Sequence, residues 1–411
     1  MITHLGQNAK AAAKILRTAN SAKKNQALLK TAELILSKSA EILAVNQEDL
    51  KNAAGKISAS MLDRLRLDEK KIALMAEGLR QIANLKDPVG EISEIKTTAR
   101  GLQVGRMRVP LGVIGMIYEA RPNVSIDAGA LCIKSGNAVI LRGGSEALLS
   151  NQILVKCLKQ GLKEAGLPEN AVQLIENTDR ALVKELLNAD KYIDVLIPRG
   201  GKGLVELVSK EAKMPVIKHL DGICHIYIDE FADLEKALKI ADNGKTYRYG
   251  ICGATETLLV NEKIAKSFLP QIAEIYKSKG VEMRGCEKTL AIIKVNPATA
   301  EDWATEYLAP IISIKVVSDI DEAIAHIETY SSKHTDAIVS ENINLANKFL
   351  KEVDSASVMI NTPTCFADGF EYGLGAEIGI STDKIHWRGP VGLEGLTAQT
   401  FIIFSDGVLR Q

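Results

Sequence analysis

One cysteine lies in a loop whose residues would suit nucleophilic chemistry. Cys252 sits in the run Tyr-Gly-Ile-Cys-Gly-Ala-Thr, with glycines at 250 and 253, between a predicted helix and a predicted strand. Small neighbours would let a carbonyl substrate and a cofactor approach the sulfur from opposite sides. An inert, half-buried thiol is the commoner fate of a cysteine. The loop therefore makes Cys252 a candidate nucleophile, and the rest of the chain has to decide.

Two glycine turns follow predicted strands and open predicted helices. Gly143 and Gly144 come directly after Arg142, and the second turn is Arg199 with Gly200 and Gly201. Backbone amides at such helix starts can approach an anion, and a neighbouring arginine adds charge. Neither turn matches the common dinucleotide or nucleotide fingerprints, so each alone is equally consistent with an ordinary tight turn. Together, with an arginine at each, they favour a phosphorylated dinucleotide, NADP rather than NAD.

A third polar group follows a predicted strand, in the run Tyr118-Glu119-Ala120-Arg121-Pro122-Asn123. Proline sets the start of the next helix and with it the direction of Asn123. One interpretation gives Asn123 an oxyanion-stabilising role and Arg121 an anion contact. The other makes them a helix cap and a surface ion pair, and these residues alone do not separate the two.

The elements that must position these residues alternate between strands and helices. Residues 1 to about 85 predict helices, and two strands follow, around 94–98 and 102–109. Short β-branched strands then alternate with helices at 113–118, 138–141, 172–175 and 193–197, which is typical of a parallel sheet. A second block predicts strands at 225–229, 255–260, 290–295, 311–317 and 336–340, and a last strand at 400–404. We therefore predict an α/β protein with two α/β domains.

Composition excludes several classes of function. Lys plus Arg equals Asp plus Glu, at 51 each, which argues against nucleic acid or a membrane as the main partner. No signal segment or membrane-length apolar run is present. The six cysteines show no paired or zinc-type spacing, and neither do Cys224 and His225 near His219, so we expect no metal site. A cytoplasmic enzyme or binding protein is expected.

Five segments together carry a family resemblance. They are Tyr118 to Asn123, Lys134 to Gly144, Asp194 to Gly201, Thr246 to Val260 and Val317 to Ile338. They resemble the γ-glutamyl phosphate reductases, the glutamate-5-semialdehyde dehydrogenases of proline biosynthesis, which form a branch of the aldehyde dehydrogenase superfamily. The resemblance spans essentially the whole chain, and the spacing of histidines in the last segment is especially specific.

The resemblance implies an aldehyde-dehydrogenase-like fold with three parts. A Rossmann-like NADPH-binding domain would comprise 1–93, 110–224 and 359–385, and a thiol-bearing catalytic domain would comprise 225–358. A small β element for oligomerisation would comprise 94–109 and 386–411. It also implies a homo-oligomer and a functional association with glutamate 5-kinase.

The resemblance also implies roles for individual residues. Cys252 would be the nucleophile, Asn123 the oxyanion donor, Arg142 a cofactor contact in place of the usual lysine, and Glu306 the ribose contact. Gly143, Gly144, Arg199, Gly200 and Gly201 stay cofactor candidates. Candidates for binding the anionic substrate, each of which could instead be an ordinary surface charge, are Glu119, Arg121, Lys245, Arg248 and Arg388.

The activity implied is NADPH-dependent reduction of L-glutamate 5-phosphate through a thioester on Cys252. Hydrolytic relatives carry Glu-Leu-Gly-Gly where this chain has His219-Leu-Asp-Gly222, so the water-activating glutamate is missing. A hydrolytic NAD(P)-dependent aldehyde dehydrogenase remains the alternative, and a non-catalytic nucleotide-binding protein is a further one. His326 and His334 are expected to be structural, and no histidine or lysine is assigned to activate Cys252.

Overall fold

The chain folds into two compact units. The computed structural model describes residues 1–410. The first unit contains Met1–Lys218, Gly373–Gly379 and residues 391–410, and the second contains His219–Tyr372 and Ile380–Pro390. No helix within the described residues combines the length and the apolar character needed to cross a membrane.

The helices are distributed over both units. In chain order they are α1 (Ile2–Leu16), α2 (Ser21–Ser37), α3 (Ser39–Ala53), α4 (Ala59–Leu65), α5 (Glu69–Asn84), α6 (Asn123–Lys134), α7 (Leu148–Glu164), α8 (Ala181–Leu187), α9 (Lys202–Glu211), α10 (Leu234–Thr246), α11 (Glu262–Ser278), α12 (Glu287–Leu290), α13 (Ile320–Tyr330) and α14 (Ile343–Glu352).

The strands form four sheets. In chain order they are β1 (Ile92–Thr97), β2 (Gln103–Pro110), β3 (Val113–Tyr118), β4 (Ala138–Gly143), β5 (Val172–Leu174), β6 (Val195–Arg199), β7 (Cys224–Ile228), β8 (Thr255–Asn261), β9 (Glu282–Gly285), β10 (Asn296–Pro297), β11 (Ile311–Val317), β12 (Thr335–Val339), β13 (Ser357–Ile360), β14 (Ile380–Ser381), β15 (Gly389–Pro390) and β16 (Thr397–Phe404).

The first unit contains a four-stranded parallel sheet in the order β5-β4-β3-β6. Every residue of β3 and β4 is buried, as expected for strands covered by helices on both faces. The chain continues from β3 to β4 on one side and returns to β6 on the other. The carboxyl ends of β3 and β6 therefore flank the switch point, where open parallel sheets bind ligands.

An antiparallel sheet in the order β1-β2-β16 also belongs to the first unit. Its longest pairing runs from Thr397 opposite Pro110 to Phe404 opposite Gln103. The strands predicted around 94–109 and at 400–404 lie here. The extended element expected from the resemblance is thus a sheet of three strands within the first unit.

The second unit is built on a seven-stranded parallel sheet in the order β10-β9-β11-β8-β7-β12-β13. Its core includes Ile226, Leu258, Phe268 and Ile314 from strands and a covering helix. Strands β8, β7 and β12 are neighbours in this sheet, so the segments that precede them meet at one edge. The predicted α/β class is confirmed for both units.

One predicted strand is wrong. The sequence predicts a strand at 290–295, but β9 takes the place beside β11 and is followed by α12. The amide of Cys286 donates to the carbonyl of Ile314 at 3.0 Å, and the hydroxyl of Thr289 donates to the same carbonyl at 3.1 Å. With these hydrogen bonds the chain leaves the sheet at Cys286, so residues 290–295 do not form the expected strand.

The second unit extends beyond the predicted catalytic domain at three places. The second unit begins at His219 rather than at 225, and it includes residues 359–372. The second difference follows from the sheet, because β13 pairs with β12 through residue Ile360. Residues 380–390 also belong to the second unit, where β14 and β15 pair with each other.

Candidate active site

Cys252 lies in the turn between α10 and β8 and is half-buried. The thiol of Cys224 donates to its carbonyl at 3.2 Å, and a Cβ at Gly222 would collide with that same carbonyl. Gly253 packs against the carbonyl of Thr364, whereas Gly250 faces open space. The loop is therefore held by close backbone contacts, and only Gly253 of its two glycines is required by packing.

Two imidazoles stand beside the Cys252 thiol. One nitrogen of His219, one nitrogen of His334 and the sulfur of Cys252 all lie within 4.8 Å of one another. His334 is buried, and the other two side chains are half-buried. The three residues meet because they precede β7, β8 and β12, which are neighbours in the parallel sheet.

The Nδ1 atom of each imidazole has a partner. Nδ1 of His219 lies 3.1 Å from the carbonyl oxygen of Ile380, and since a carbonyl only accepts, Nδ1 is the donor, which in the neutral ring leaves the lone pair on Nε2. Nδ1 of His334 lies 2.9 Å from the hydroxyl of Thr335. The two rings meet edge to face at 5.3 Å.

These two histidines are functional candidates that the sequence did not assign. His334 was expected to be structural, but it lies next to the candidate nucleophile. The available signal was that both histidines come just before predicted strands. His326 fits its structural expectation, because it is buried against Trp303 and Tyr330, and burial lowers its pKa to about 3.

Asn123 is the first residue of α6, in the first unit. Its amide donates to the carboxylate of Asp127 at 2.9 Å. Burial raises the pKa of Asp127 to about 6, against the opposing effects of the Asn123 hydrogen bond and the Arg199 charge. Asn123 thus has a fixed orientation. Its pairing with Cys252, which belongs to the second unit, stays a prediction.

A solvent-open cavity of about 60 Å³ lies in the first unit at the carboxyl ends of β3 and β6. Because its lining contains charges of both signs, we call it the mixed-charge cavity. Its lining residues are Met116, Arg121, Asn123, Val124, Asp127, Ala128, Arg199, Glu377 and Ile378. The structure thus brings Arg121 and Asn123 together with Arg199, which the sequence had grouped with the cofactor turn.

Carboxylates of the protein itself lie against both glycine turns. The amide of Gly201 donates to Glu119 at 2.8 Å, so one carboxylate oxygen of Glu119 is engaged by the turn. The carboxylate of Glu146 covers Gly144 and accepts from the amide of Ala120 at 2.7 Å. The second turn thus binds a carboxylate of the protein through the amide of Gly201, and at the first turn a carboxylate lies over Gly144.

Arg142 is buried at the end of β4. Its guanidinium donates to the carbonyls of Gly143 and Thr178, and burial lowers its pKa. Its Nε has no hydrogen-bond partner within residues 1–410. A buried donor without a partner is costly, so this atom is the feature of the turn that fits an external anion.

Two of the predicted substrate contacts form ion pairs within the protein. Lys245 is fully buried in an ion pair with Glu256, and burial raises the pKa of Glu256 to about 7. Arg388 forms an ion pair with Asp354 at 2.7 Å and donates to the carbonyl of Thr382. Both cations are used by partners of their own unit.

The two remaining candidates lie in the second unit. Arg248 is exposed in the segment that leads to Cys252. Glu306, the expected ribose contact, accepts from the amide of Gly222 at 2.9 Å. It therefore anchors the same glycine that packs against Cys252.

The chain is similar to known proteins of one family over its length. The model of the aldehyde dehydrogenase family matches residues 2–290 and 284–373. The crystal structure of γ-glutamyl phosphate reductase from Thermotoga maritima is 46% identical, with 100% of both chains covered and a TM-score of 0.97.

Two further solved structures extend the comparison. The γ-glutamyl phosphate reductase of Saccharomyces cerevisiae is 33% identical over 99% of this chain and 98% of its own, with a TM-score of 0.55. An engineered glycolyl-CoA reductase with bound NADP⁺ shares only the fold, at 18% identity over 98% of this chain and 96% of its own and a TM-score of 0.67. The chain therefore belongs to the aldehyde dehydrogenase family, in the branch formed by the γ-glutamyl phosphate reductases.

Proposed function

We propose that the protein reduces L-glutamate 5-phosphate to L-glutamate 5-semialdehyde and releases phosphate, the second step of proline biosynthesis. The observation that carries this proposal is the full-length likeness to the Thermotoga maritima reductase, at 46% identity. Cys252 between two imidazoles supplies the chemistry that the reaction needs. The substrate is a small molecule with an activated carbonyl.

The first half of the reaction forms a bond to sulfur. The thiolate of Cys252 attacks the acyl-phosphate carbon, the bond to the phosphate oxygen breaks, and a thioester remains. An imidazole nitrogen of His219 or His334 takes the thiol proton, which then passes to the departing phosphate. Asn123 keeps its predicted role as oxyanion donor.

The second half of the reaction is a reduction. When bound, a nicotinamide cofactor would supply the hydride needed to reduce the Cys252 thioester to a hemithioacetal. Collapse of the hemithioacetal restores the Cys252 thiolate and frees the aldehyde. With histidine at position 219, the chain lacks the glutamate that hydrolytic relatives use against such a thioester.

The cofactor proposed is NADPH. Arg142 would hold an anionic group through its otherwise unpartnered Nε, with Gly143 and Gly144 beside it. Gly200 and Gly201 remain candidates at the second turn, and Glu306 for the ribose. Preference for NADPH over NADH follows from arginine as the natural partner of an extra phosphate.

The mixed-charge cavity would hold the α-amino acid end of the substrate. Arg121 and Arg199 suit the α-carboxylate, and Asp127 and Glu377 suit the ammonium group. An arginine fork can bind a carboxylate through two parallel hydrogen bonds. Arg248 remains a candidate for the phosphate.

The test is the reverse reaction on glutamate semialdehyde with NADP⁺. We expect a strict requirement for phosphate or arsenate and loss of activity in Cys252→Ala, with Cys365→Ala, a half-buried thiol, as the matched control. Oxidation that proceeds equally well without phosphate would mean the hydrolytic alternative. Unchanged complementation of a proline auxotroph by Cys252→Ala would mean a non-catalytic protein.

We also propose a homo-oligomer, a functional association with glutamate 5-kinase and a cytoplasmic location. The association follows from the chemistry, because an acyl phosphate is easily hydrolysed and benefits from short transit. Co-purification with the kinase, or faster coupled turnover when both enzymes are present, would support it.

A further inference from the structure

The thiol and the two imidazoles form a donor set that goes beyond the reductase chemistry. Their three donor atoms lie within 4.8 Å of one another. In a tetrahedral zinc site, ligand atoms about 2.0–2.3 Å from the metal lie roughly 3.5 Å apart. Movement of the donor atoms by about 1 Å would therefore bring the three of them around one ion.

The surroundings of the imidazoles match those of metal ligands. Ligating histidines usually donate their other ring N–H to a carbonyl or another oxygen, which orients the ring. Nδ1 of His219 does so to Ile380, and Nδ1 of His334 lies against the hydroxyl of Thr335. For His219 this leaves Nε2 with the lone pair that a metal requires.

The sulfur is reachable, and its backbone is anchored. Cys252 and His219 are half-buried rather than enclosed, so an ion can enter. Gly222 packs against the Cys252 carbonyl, and the amide of Gly222 is held by Glu306. The segments that carry His219 and Cys252 are therefore held against each other.

We propose that Cys252, His219 and His334 bind one Zn²⁺ reversibly and that the ion inhibits the enzyme. One thiolate and two imidazoles are ligands typical of zinc, and three protein ligands leave a fourth position for water. Binding displaces the thiol proton to solvent and holds the sulfur lone pair on the metal. A sulfur held this way cannot attack a carbonyl, so zinc and substrate compete for Cys252.

Binding is tested first, without substrate, on the whole protein after chelator treatment. Zn²⁺ is titrated against a chromophoric chelator, and Co²⁺ is added separately as a spectroscopic probe. We expect one ion per chain and a thiolate-to-cobalt charge-transfer band that Zn²⁺ removes. Binding without that band would overturn the proposal, because the sulfur would not be a ligand.

Variants separate the site from general thiol or histidine binding. Cys252→Ser should abolish the cobalt band, and His219→Ala should weaken zinc binding by at least about tenfold. Cys365→Ser and His4→Ala, which change a half-buried thiol and an exposed imidazole, should bind as the unchanged protein does. If His219→Ala bound zinc as tightly as the two control variants do, the proposed site would be refuted. This test does not depend on whether a His334→Ala variant folds.

Inhibition is measured separately. Stoichiometric Zn²⁺ should abolish the reverse reaction, and a chelator should restore it. Full activity with zinc bound would contradict the inhibitory role. Because the binding arm uses no substrate, failure of the proposed reductase function would leave its result standing.

Discussion

At the scale of single residues, the site depends on how a few side chains are held. Asn123 points its amide at Asp127, and Asp127 lines the mixed-charge cavity with Arg121, Arg199 and Glu377. The ionised Asp127 can accept from the asparagine and attract an ammonium group, whereas the neutral acid does the second poorly. Proton uptake by this one carboxyl should therefore be visible in substrate binding.

Asp127→Asn should remove the pH dependence of KM for glutamate semialdehyde. Since the pKa of Asp127 is about 6, KM for glutamate semialdehyde should rise as pH falls through 6 in the unchanged protein and should be high throughout in the variant. An analogue without the α-amino group should bind equally to both. Steady-state kinetics from pH 5 to 8 check this, and an unaltered inflection in the variant would assign the ionisation elsewhere.

The same carboxyl should affect folding stability. Its pKa is raised from 3.8 to about 6 on folding, so the folded chain holds the proton more tightly than the unfolded chain. Stability from this group is therefore present below pH 3.8 and is lost as pH rises to about 6. Asp127→Asn should flatten that part of the stability profile in denaturant titrations.

At the scale of elements, a buried ion pair joins the helix and the strand on either side of the Cys252 loop. Lys245 lies in the last turn of α10, and Glu256 is the second residue of β8. Both side chains are buried, and Lys245 also lies 5.9 Å from the ring centre of Tyr307. The pair fixes where the loop starts and ends, so its role is in positioning.

Lys245→Met should destabilise the protein by about 3–5 kcal/mol, because it leaves the Glu256 carboxylate buried without a partner. The double variant Lys245→Met with Glu256→Leu should recover most of that loss. Lys239→Met changes an exposed lysine of the same helix and should cost less than about 0.5 kcal/mol. Denaturant midpoints measure all three, and a double variant no better than the single one would contradict the pair's assigned role.

At the scale of the whole molecule, the sheet β1-β2-β16 has an exposed apolar face. Phe401 is 64% exposed and Ile403 is 61% exposed, on the outermost strand β16. An outer strand with unpaired backbone groups and apolar side chains is a natural place for pairing with a second copy. This is the basis for placing the proposed oligomer contact here.

Phe401→Glu should lower the molar mass measured by light scattering after size-exclusion chromatography, because a charge replaces buried apolar area in the contact. Leu74→Glu on α5, where leucine is 60% exposed, serves as the control and should leave the mass unchanged. If both variants keep the mass of the unchanged protein, the contact lies on another face.

Much of this molecule was accessible from local sequence. The buried strands β3 and β4 are mostly apolar runs with several β-branched residues, and β11 and β3 have the predicted bounds, since apolar pattern is a local property. The strand predicted at 290–295 was wrong because hydrogen bonds to Ile314, which is distant in the chain, determine the path of this segment. The ion pairs of Lys245 with Glu256 and of Arg388 with Asp354 were not predicted for the same reason, because these partners meet only on folding.

The sequence by itself determined the family, the α/β class and the candidate nucleophile, because motif spacing and glycine loops are local features of the chain. Only the tertiary structure decided which groups stand beside Cys252. His219 and His334 are 115 positions apart and meet because β7 and β12 are neighbours of one parallel sheet. Strand order in such a sheet depends on long crossovers and packing, which no local pattern records.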